Sequence, residues 1–147
     1  RITSSFDASG AGAYITSNWE RNDTAGFAKI GTGLTESSGT FTFPVTGIYQ
    51  ITAVLHTVNG SNTNRYTQCR IYTTQNNSGY TVQANAAGEI GHQNGQNMVR
   101  STAIFDCTDT STHKFRIWQY TYDSNTAIVG DSNQNNSYIV VIRLGDT

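Results

Sequence analysis

The chain has 147 residues, a formal net charge of −1 and only 13% charged residues, about half of the usual ~25%. This length suits one domain with a single core, here residues 1–147, and the balanced charge argues against a nucleic-acid binder, which needs a basic face. No apolar run approaches the ~20 residues of a membrane-spanning helix, so we expect no membrane insertion.

Short runs of strand-forming residues alternate with turn clusters along the whole chain, without sustained helical periodicity. Thr, Tyr, Val and Ile favour strands, and Asn and Gly favour the turns between them. This alternation predicts strands at Gly12–Trp19, Phe27–Ile30, Thr40–Phe43, Gly47–Val58, Thr67–Thr74, Tyr80–Ala86, Gln96–Phe105, Lys114–Tyr122 and Ser137–Leu144. Their spacing is typical of an all-β sandwich or barrel. Because the chain begins with Arg1 rather than Met, we expect a piece of a longer protein, with residues 1–11 as a candidate stalk junction.

The stretch "GTFTFPVTGIYQITAVLH" reads as a short strand and a long strand, separated by the single proline of the chain. Pro44 cannot donate to a strand ladder, so it belongs at a strand end, and Gly47 lets the backbone turn into the long strand. Along that strand, one face is apolar, from Tyr49 to Leu55, and must be core. The other face mixes apolar with polar side chains, from Ile48 to His56, which is typical of a subunit interface.

The last predicted strand, "SYIVVIRL", is apolar on both faces. Side chains alternate along a strand, so Tyr138, Val140 and Ile142 share one face. We expect Ile139, Val141 and Leu144 mostly on the other face. The Ile139 face is the better match to a closed core. An antiparallel strand that is buried on both faces needs a second layer of protein, so we predict that the Tyr138 face contacts other subunits.

The residues Phe41, Pro44, Gly47 and Tyr49 match the central signature of the complement C1q-like globular heads, and Ile51 replaces its usual aromatic. The segment "NNSYIVVIRL" is similar to the closing strand of that family. The chain therefore resembles the C1q and tumour-necrosis-factor-like superfamily. The resemblance implies a two-sheet antiparallel jelly-roll sandwich that assembles as a compact homotrimer and serves as a binding head on a stalk or fibre.

Two sets of residues follow from this interpretation. The predicted trimer interface comprises Gln50, Thr52, Val54, His56, Arg116, Trp118, Tyr138, Val140 and Ile142. Loop residues with amide or aromatic side chains suit the hydroxyl groups of a sugar, so the predicted ligand-binding positions are Asn62, Asn64, Tyr66, Asn77, Tyr80 and Tyr122. The expected partner is a cell-surface receptor or glycan, and the expected location is extracellular or on a virion, phage or microbial surface.

The sequence offers no pattern of catalytic or metal-binding residues, so we predict neither an enzyme nor a cofactor. The three histidines, His56, His92 and His113, share no metal-ligand spacing, although a calcium ion in a head loop stays open as an alternative. Cys69 and Cys107 form no CxxC motif, and they are either buried thiols or a disulfide. Alternative functions are an inert trimerisation knob and a secreted lectin or cytokine-like ligand.

Overall fold

A computed structural model describes residues 1–60 and 64–147 of the chain. Predicted Asn62 therefore lies outside the described residues. The described part contains eleven β-strands: β1 Ser4–Asp7, β2 Ala13–Tyr14, β3 Thr35–Ser37, β4 Thr40–Thr42, β5 Gly47–Asn59, β6 Tyr66–Thr74, β7 Thr81–Glu89, β8 Gln96–Cys107, β9 Lys114–Thr121, β10 Thr126–Asp131 and β11 Tyr138–Gly145.

The strands form two antiparallel sheets, as expected for a jelly-roll sandwich. In the five-stranded sheet, β8 pairs with nearly the whole length of β5 on one edge. On the opposite edge of β5, β11 pairs with the first part of the strand and β10 with its end. Strand β1 pairs with β10 and extends the sheet. The six-stranded sheet has the order β3-β4-β9-β6-β7, with β2 also paired to β9. Among the described residues, no helix has the length and apolar character that a membrane crossing requires.

The segment around Pro44 carries the chain from one sheet to the other. Strand β4 belongs to the six-stranded sheet and β5 to the five-stranded sheet, so the change of layer occurs between Thr42 and Gly47. Gly47 has a φ of 149°, and a Cβ atom there would lie 2.5 Å from Nε of Arg143. The hydroxyl of Tyr49 donates to the carbonyl of Val45 at 2.8 Å and ties the turn to β5. Glycine is therefore required at this position because a side chain would collide with β11.

The core lies between the sheets and is built from the alternate side chains that each strand points inward. Phe43 packs against Tyr49, Phe105 and Phe115, with ring centroids 4.5–5.7 Å apart. Both cysteines are free, buried thiols of this core. Burial raises the pKa of the Cys69 thiol to about 12 and also raises the pKa of Cys107. Because neither cysteine is bonded, the structure has two thiols and not a disulfide.

Several predicted strand boundaries were wrong, mainly in the first third of the chain. Residues 27–30 form no strand, and the predicted strand at 12–19 shrinks to β2 and one isolated bridge between Ile2 and Trp19. Strands β1, β3 and β10 were missed. Residues 1–11 are part of the sandwich rather than a junction outside it, because β1 pairs with β10 and both Ile2 and Ala8 lie in the core.

Candidate binding surfaces

The outward face of the five-stranded sheet is a broad, partly apolar surface, here called the inner-sheet face. It is formed by the alternate side chains of β5, β8 and β11 that point away from the core. The register places Val140 opposite Thr52, and Thr52 in turn opposite Thr102, whose hydroxyl lies 3.1 Å from that of Thr52. Exposed apolar side chains surround this centre in the single chain, namely Met98, Ile104, Val140, Ile142 and Leu144.

The predicted assignment of faces on the last strand is confirmed except at Leu144, which is 56% exposed and does not pack against the core. The register of β11 with β5 shifts between Arg143 and Gly145, where this residue lies. Ile139 and Val141 pack against the core, whereas Val140 is 43% exposed and Ile142 is 49% exposed. The register also brings together most of the predicted interface residues, pairing Tyr138 with Val54 and Ile142 with Gln50. Whether this face contacts sister subunits stays a prediction.

Arg116 and Trp118 do not belong to the inner-sheet face, and their inclusion in it was wrong. Both lie on β9, which pairs with β4 and β6 in the six-stranded sheet. Their neighbours Phe115 and Ile117 are fully buried in the core, so by alternation both point away from the sandwich on its opposite side.

The outward face of the six-stranded sheet carries a continuous row of aromatic rings. Neighbouring ring centroids are 5.2–6.4 Å apart along the whole row. In spatial order, this ring row consists of Tyr80, Tyr14, Tyr72, Trp118, Tyr120, Tyr66 and Tyr122. It contains six of the eight tyrosines and none of the six phenylalanines, most of which lie in the core or against it. Amphipathic rings are thus concentrated on this surface.

Three arginines lie over rings of this row. The guanidinium carbon of Arg116 is 4.0 Å from the centroid of Tyr14, that of Arg70 is 4.4 Å from Trp118, and that of Arg65 is 4.7 Å from Tyr122. These distances are within the range of cation–π attraction.

Two tyrosines of the row have a pKa above the ordinary value of a tyrosine. A side-chain hydrogen bond with Tyr66 raises the pKa of Tyr120, and burial raises the pKa of Tyr14. Tyr14 therefore carries no phenolate charge beside Arg116 at neutral pH.

None of the three arginines forms an ion pair with a carboxylate among the described residues. Arg70 donates only to neutral amides, to Oδ1 of Asn85 at 3.2 Å and to Oε1 of Gln68 at 2.7 Å. Nε of Arg116 is buried and has no hydrogen-bond partner among the described residues. The surface thus holds three guanidinium groups whose charges are not neutralised by contact with an acid.

The predicted ligand-binding residues divide into two groups. Tyr66, Tyr80 and Tyr122 all join the ring row, although Tyr66 lies on β6 and not in a loop. Asn64, in contrast, is a structural residue: its Nδ2 donates to Oγ1 of Thr126 at 2.6 Å in a buried site, which leaves it inaccessible to a ligand. The assignment of Asn64 to a binding loop was therefore wrong.

Asn77 lies in the turn between β6 and β7 and has a φ of 59°. The neighbouring Asn76 organises this turn, because its Oδ1 accepts hydrogen bonds from the backbone nitrogens of Ser78 and Gly79. A polar cavity of about 260 Å³ beside it is lined by uncharged side chains such as Thr73. Asn77 is exposed, and its role in binding stays a prediction.

The sequence did contain the signal for the rest of the ring row. In β6 the outward positions are Tyr66, Gln68, Arg70 and Tyr72; in β9 they are Arg116, Trp118 and Tyr120. Each alternates with buried residues that point inward. The pairing of β6 with β9 brings these two sets of outward side chains onto one surface, and neither strand's sequence indicates that pairing.

Among the described residues, no three His, Cys, Asp or Glu side chains are grouped so that they could hold a metal ion. The acidic turn residues are engaged locally: Oδ1 of Asp109 accepts from the backbone nitrogen of Ser111 at 2.8 Å, and Oδ1 of Asp131 accepts from that of Asn133 at 2.6 Å.

Solved structures with the same fold are found at low sequence identity. A tumour necrosis factor from S. frugiperda, Eiger, is 13% identical, with a TM-score of 0.57 over 78% of this chain and 70% of its own. Murine APRIL at pH 5.0 is 10% identical, with a TM-score of 0.58 over 78% and 80%; at pH 8.0 it is 9% identical, with a TM-score of 0.57 over 89% and 95%. No protein-family model and no curated protein matches the chain. The two-sheet jelly roll of the tumour-necrosis-factor type is therefore the fold of this chain.

Proposed function

We propose that the protein is a non-enzymatic binding module that assembles as a homotrimer, forms the head of a fibre or stalk on a virion, phage or microbial surface, and binds a cell-surface receptor or glycan. The observation that carries the proposal is the inner-sheet face. Met98 and Ile104 are each 56% exposed there and lie on the same face as Val140 and Ile142. Soluble monomers rarely expose contiguous apolar patches of more than a few hundred Å².

The composition of the face fits a contact between protein subunits. Polar groups such as Gln50 and the paired Thr52 and Thr102 hydroxyls lie among the apolar side chains, as in subunit interfaces that mix an apolar centre with hydrogen bonds. Self-association around a closed three-fold axis would cover this face on every copy. The resemblance of the sequence to C1q and tumour-necrosis-factor-like heads implies the same number of subunits.

Light scattering coupled to size exclusion, at micromolar protein concentration, tests the assembly. We expect a mass of about 48 kDa, three times the 16.0 kDa of the chain. A mass of one chain at that concentration would contradict the trimer. Binding of the labelled protein to a glycan array would then distinguish a recognition head from an inert trimerisation knob, because an inert knob would bind none of the glycans.

A further inference from the structure

We infer that the ring row with its three arginines is a binding site for an acidic oligosaccharide, a glycan chain that carries carboxylate or sulfate groups. The inference deepens the proposed function, on which it rests, by placing ligand recognition on the outward face of the six-stranded sheet. The site lies within one chain, on the side of the sandwich opposite the inner-sheet face, so it can be tested whatever the oligomeric state.

The side chains of this surface are those that recur at recognition sites. Tyr, Trp and Arg dominate binding hot spots because they combine a large contact area with hydrogen-bonding groups and few rotatable bonds. The chain places six tyrosines and a tryptophan here and keeps phenylalanine off the row. Aliphatic side chains, which would favour a protein partner, are sparse: Val82, opposite Tyr72, is an exposed exception.

The dimensions of the row suit an extended chain of sugars rather than a single small molecule. Tyr66 and Tyr72 lie six residues apart on β6, which at about 3.3 Å per residue places them about 20 Å apart along the strand. The rings are half-buried, and Tyr122 at one end is 44% exposed, so part of the row reaches solvent. The C–H face of a sugar ring packs on aromatic carbon, while phenol and amide groups bond its hydroxyls.

The charge of the site selects an acidic ligand. Arg65, Arg70 and Arg116 supply three positive charges with no carboxylate in contact among the described residues. Contact with a ring restricts each guanidinium group before the ligand arrives, which lowers the entropic cost of forming the paired N–H···O bonds that arginine makes to a carboxylate.

The experiment measures binding by titration calorimetry to two matched pairs of oligosaccharides: oligogalacturonides and their methyl esters, and chondroitin sulfate oligosaccharides and their desulfated, carboxyl-reduced forms. We expect the acidic member of at least one pair to bind more tightly than its matched partner, and its affinity to fall with added salt. Equal affinity within both pairs, or no binding of either acidic ligand at millimolar concentration, would overturn the inference.

Variants then locate the site. Arg70→Gln and Arg116→Gln each remove a charge-assisted hydrogen bond and should weaken binding of the acidic ligand about 10-fold to 100-fold. Arg21→Gln is the matched control, because Arg21 is exposed outside the ring row and its side chain donates to the carbonyl of Leu34. Equal losses in all three variants would show non-specific attraction. Tyr122→Ala, at an exposed ring, should weaken binding without lowering the melting temperature.

Two further readouts separate the possible failures. An oligoglutamate peptide that binds as tightly as the acidic glycan would show that the site recognises charge alone, which contradicts a sugar site. Light scattering on the same samples reports the assembly independently: a trimer that binds no acidic glycan refutes this inference only, whereas a monomer that binds one refutes the proposed trimer only.

Discussion

Substituting Asp for Val140 should dissociate the proposed trimer. Val140 is 43% exposed in the single chain, so nearly half of its surface is left to be covered by a sister subunit. Complete burial of a valine side chain contributes about 1.5–3 kcal/mol, so the remaining part contributes about 0.6–1.3 kcal/mol per copy and about 2–4 kcal/mol per trimer. Its loss alone would weaken the assembly about 30-fold to 1000-fold.

The new carboxylates add to this loss. Val140 lies opposite Thr52, which is itself almost fully buried at the centre of the inner-sheet face. Three carboxylates brought together in such a poorly solvated place repel one another, so their pKa values would rise in the assembled state. The assembled state would then bind protons more readily than the separate chains, so the variant should assemble better as the pH falls towards 4.

Sedimentation velocity over a dilution series measures the effect at neutral pH. Val82→Asp is the matched control, because Val82 is 45% exposed but lies on β7, opposite Tyr72 in the other sheet. We expect Val82→Asp to remain trimeric and Val140→Asp to sediment as single, folded chains. A Val140→Asp protein that stays trimeric with an unchanged melting temperature would refute the assignment of this face to the interface.

Three further predictions concern stability within one chain. Gly12→Ala should lower the free energy of unfolding by about 1–3 kcal/mol in urea titrations, because Gly12 has a φ of 75° and a Cβ would lie 1.8 Å from the ring of Trp118. Gly31→Ala, at a φ of 72° with no atom within 4 Å of the added Cβ, should lower the free energy of unfolding by less. Equal losses of stability in the two variants would contradict the role of the Trp118 ring. Asn64→Ala should cost about 1–3 kcal/mol, since it leaves a buried threonine hydroxyl of β10 without its amide donor; a loss below this range would contradict a structural role. Burial raises the pKa of the Cys69 thiol to about 12 in the folded state. Its contribution to the free energy of unfolding should therefore be complete below pH 9 and should decrease as the pH rises from 9 to 12. The free energy of unfolding of Cys69→Ala should depend less on pH in that window.

Much of the fold could be predicted from local pattern, because side-chain alternation along a strand depends only on neighbouring residues. The long strand after Gly47 and the last strand were found almost to the residue, with Ile139 and Val141 correctly turned to the core. Strands β1, β3 and β10 were missed, whereas the three-residue β4 was found because two phenylalanines and Pro44 mark its position. The pairing partners of the missed strands make them strands: β1 pairs with the distant β10, and β3 pairs with the neighbouring β4.

The candidate sites show the same division. The sequence alone determined which side chains share a face of each strand: Tyr138 with Val140 on β11, and Arg116 with Trp118 on β9. It could not determine which sheet each strand joins, because an outward face looks the same in either layer. Only the tertiary structure decided that β9 pairs with β6, which separates Trp118 from the inner-sheet face. The same pairing builds the ring row from residues that are far apart in sequence: Tyr14 and Tyr122 are separated by 108 positions. The physical reason is that strand pairing is fixed by hydrogen bonds and core packing between segments remote in sequence, which no local pattern specifies.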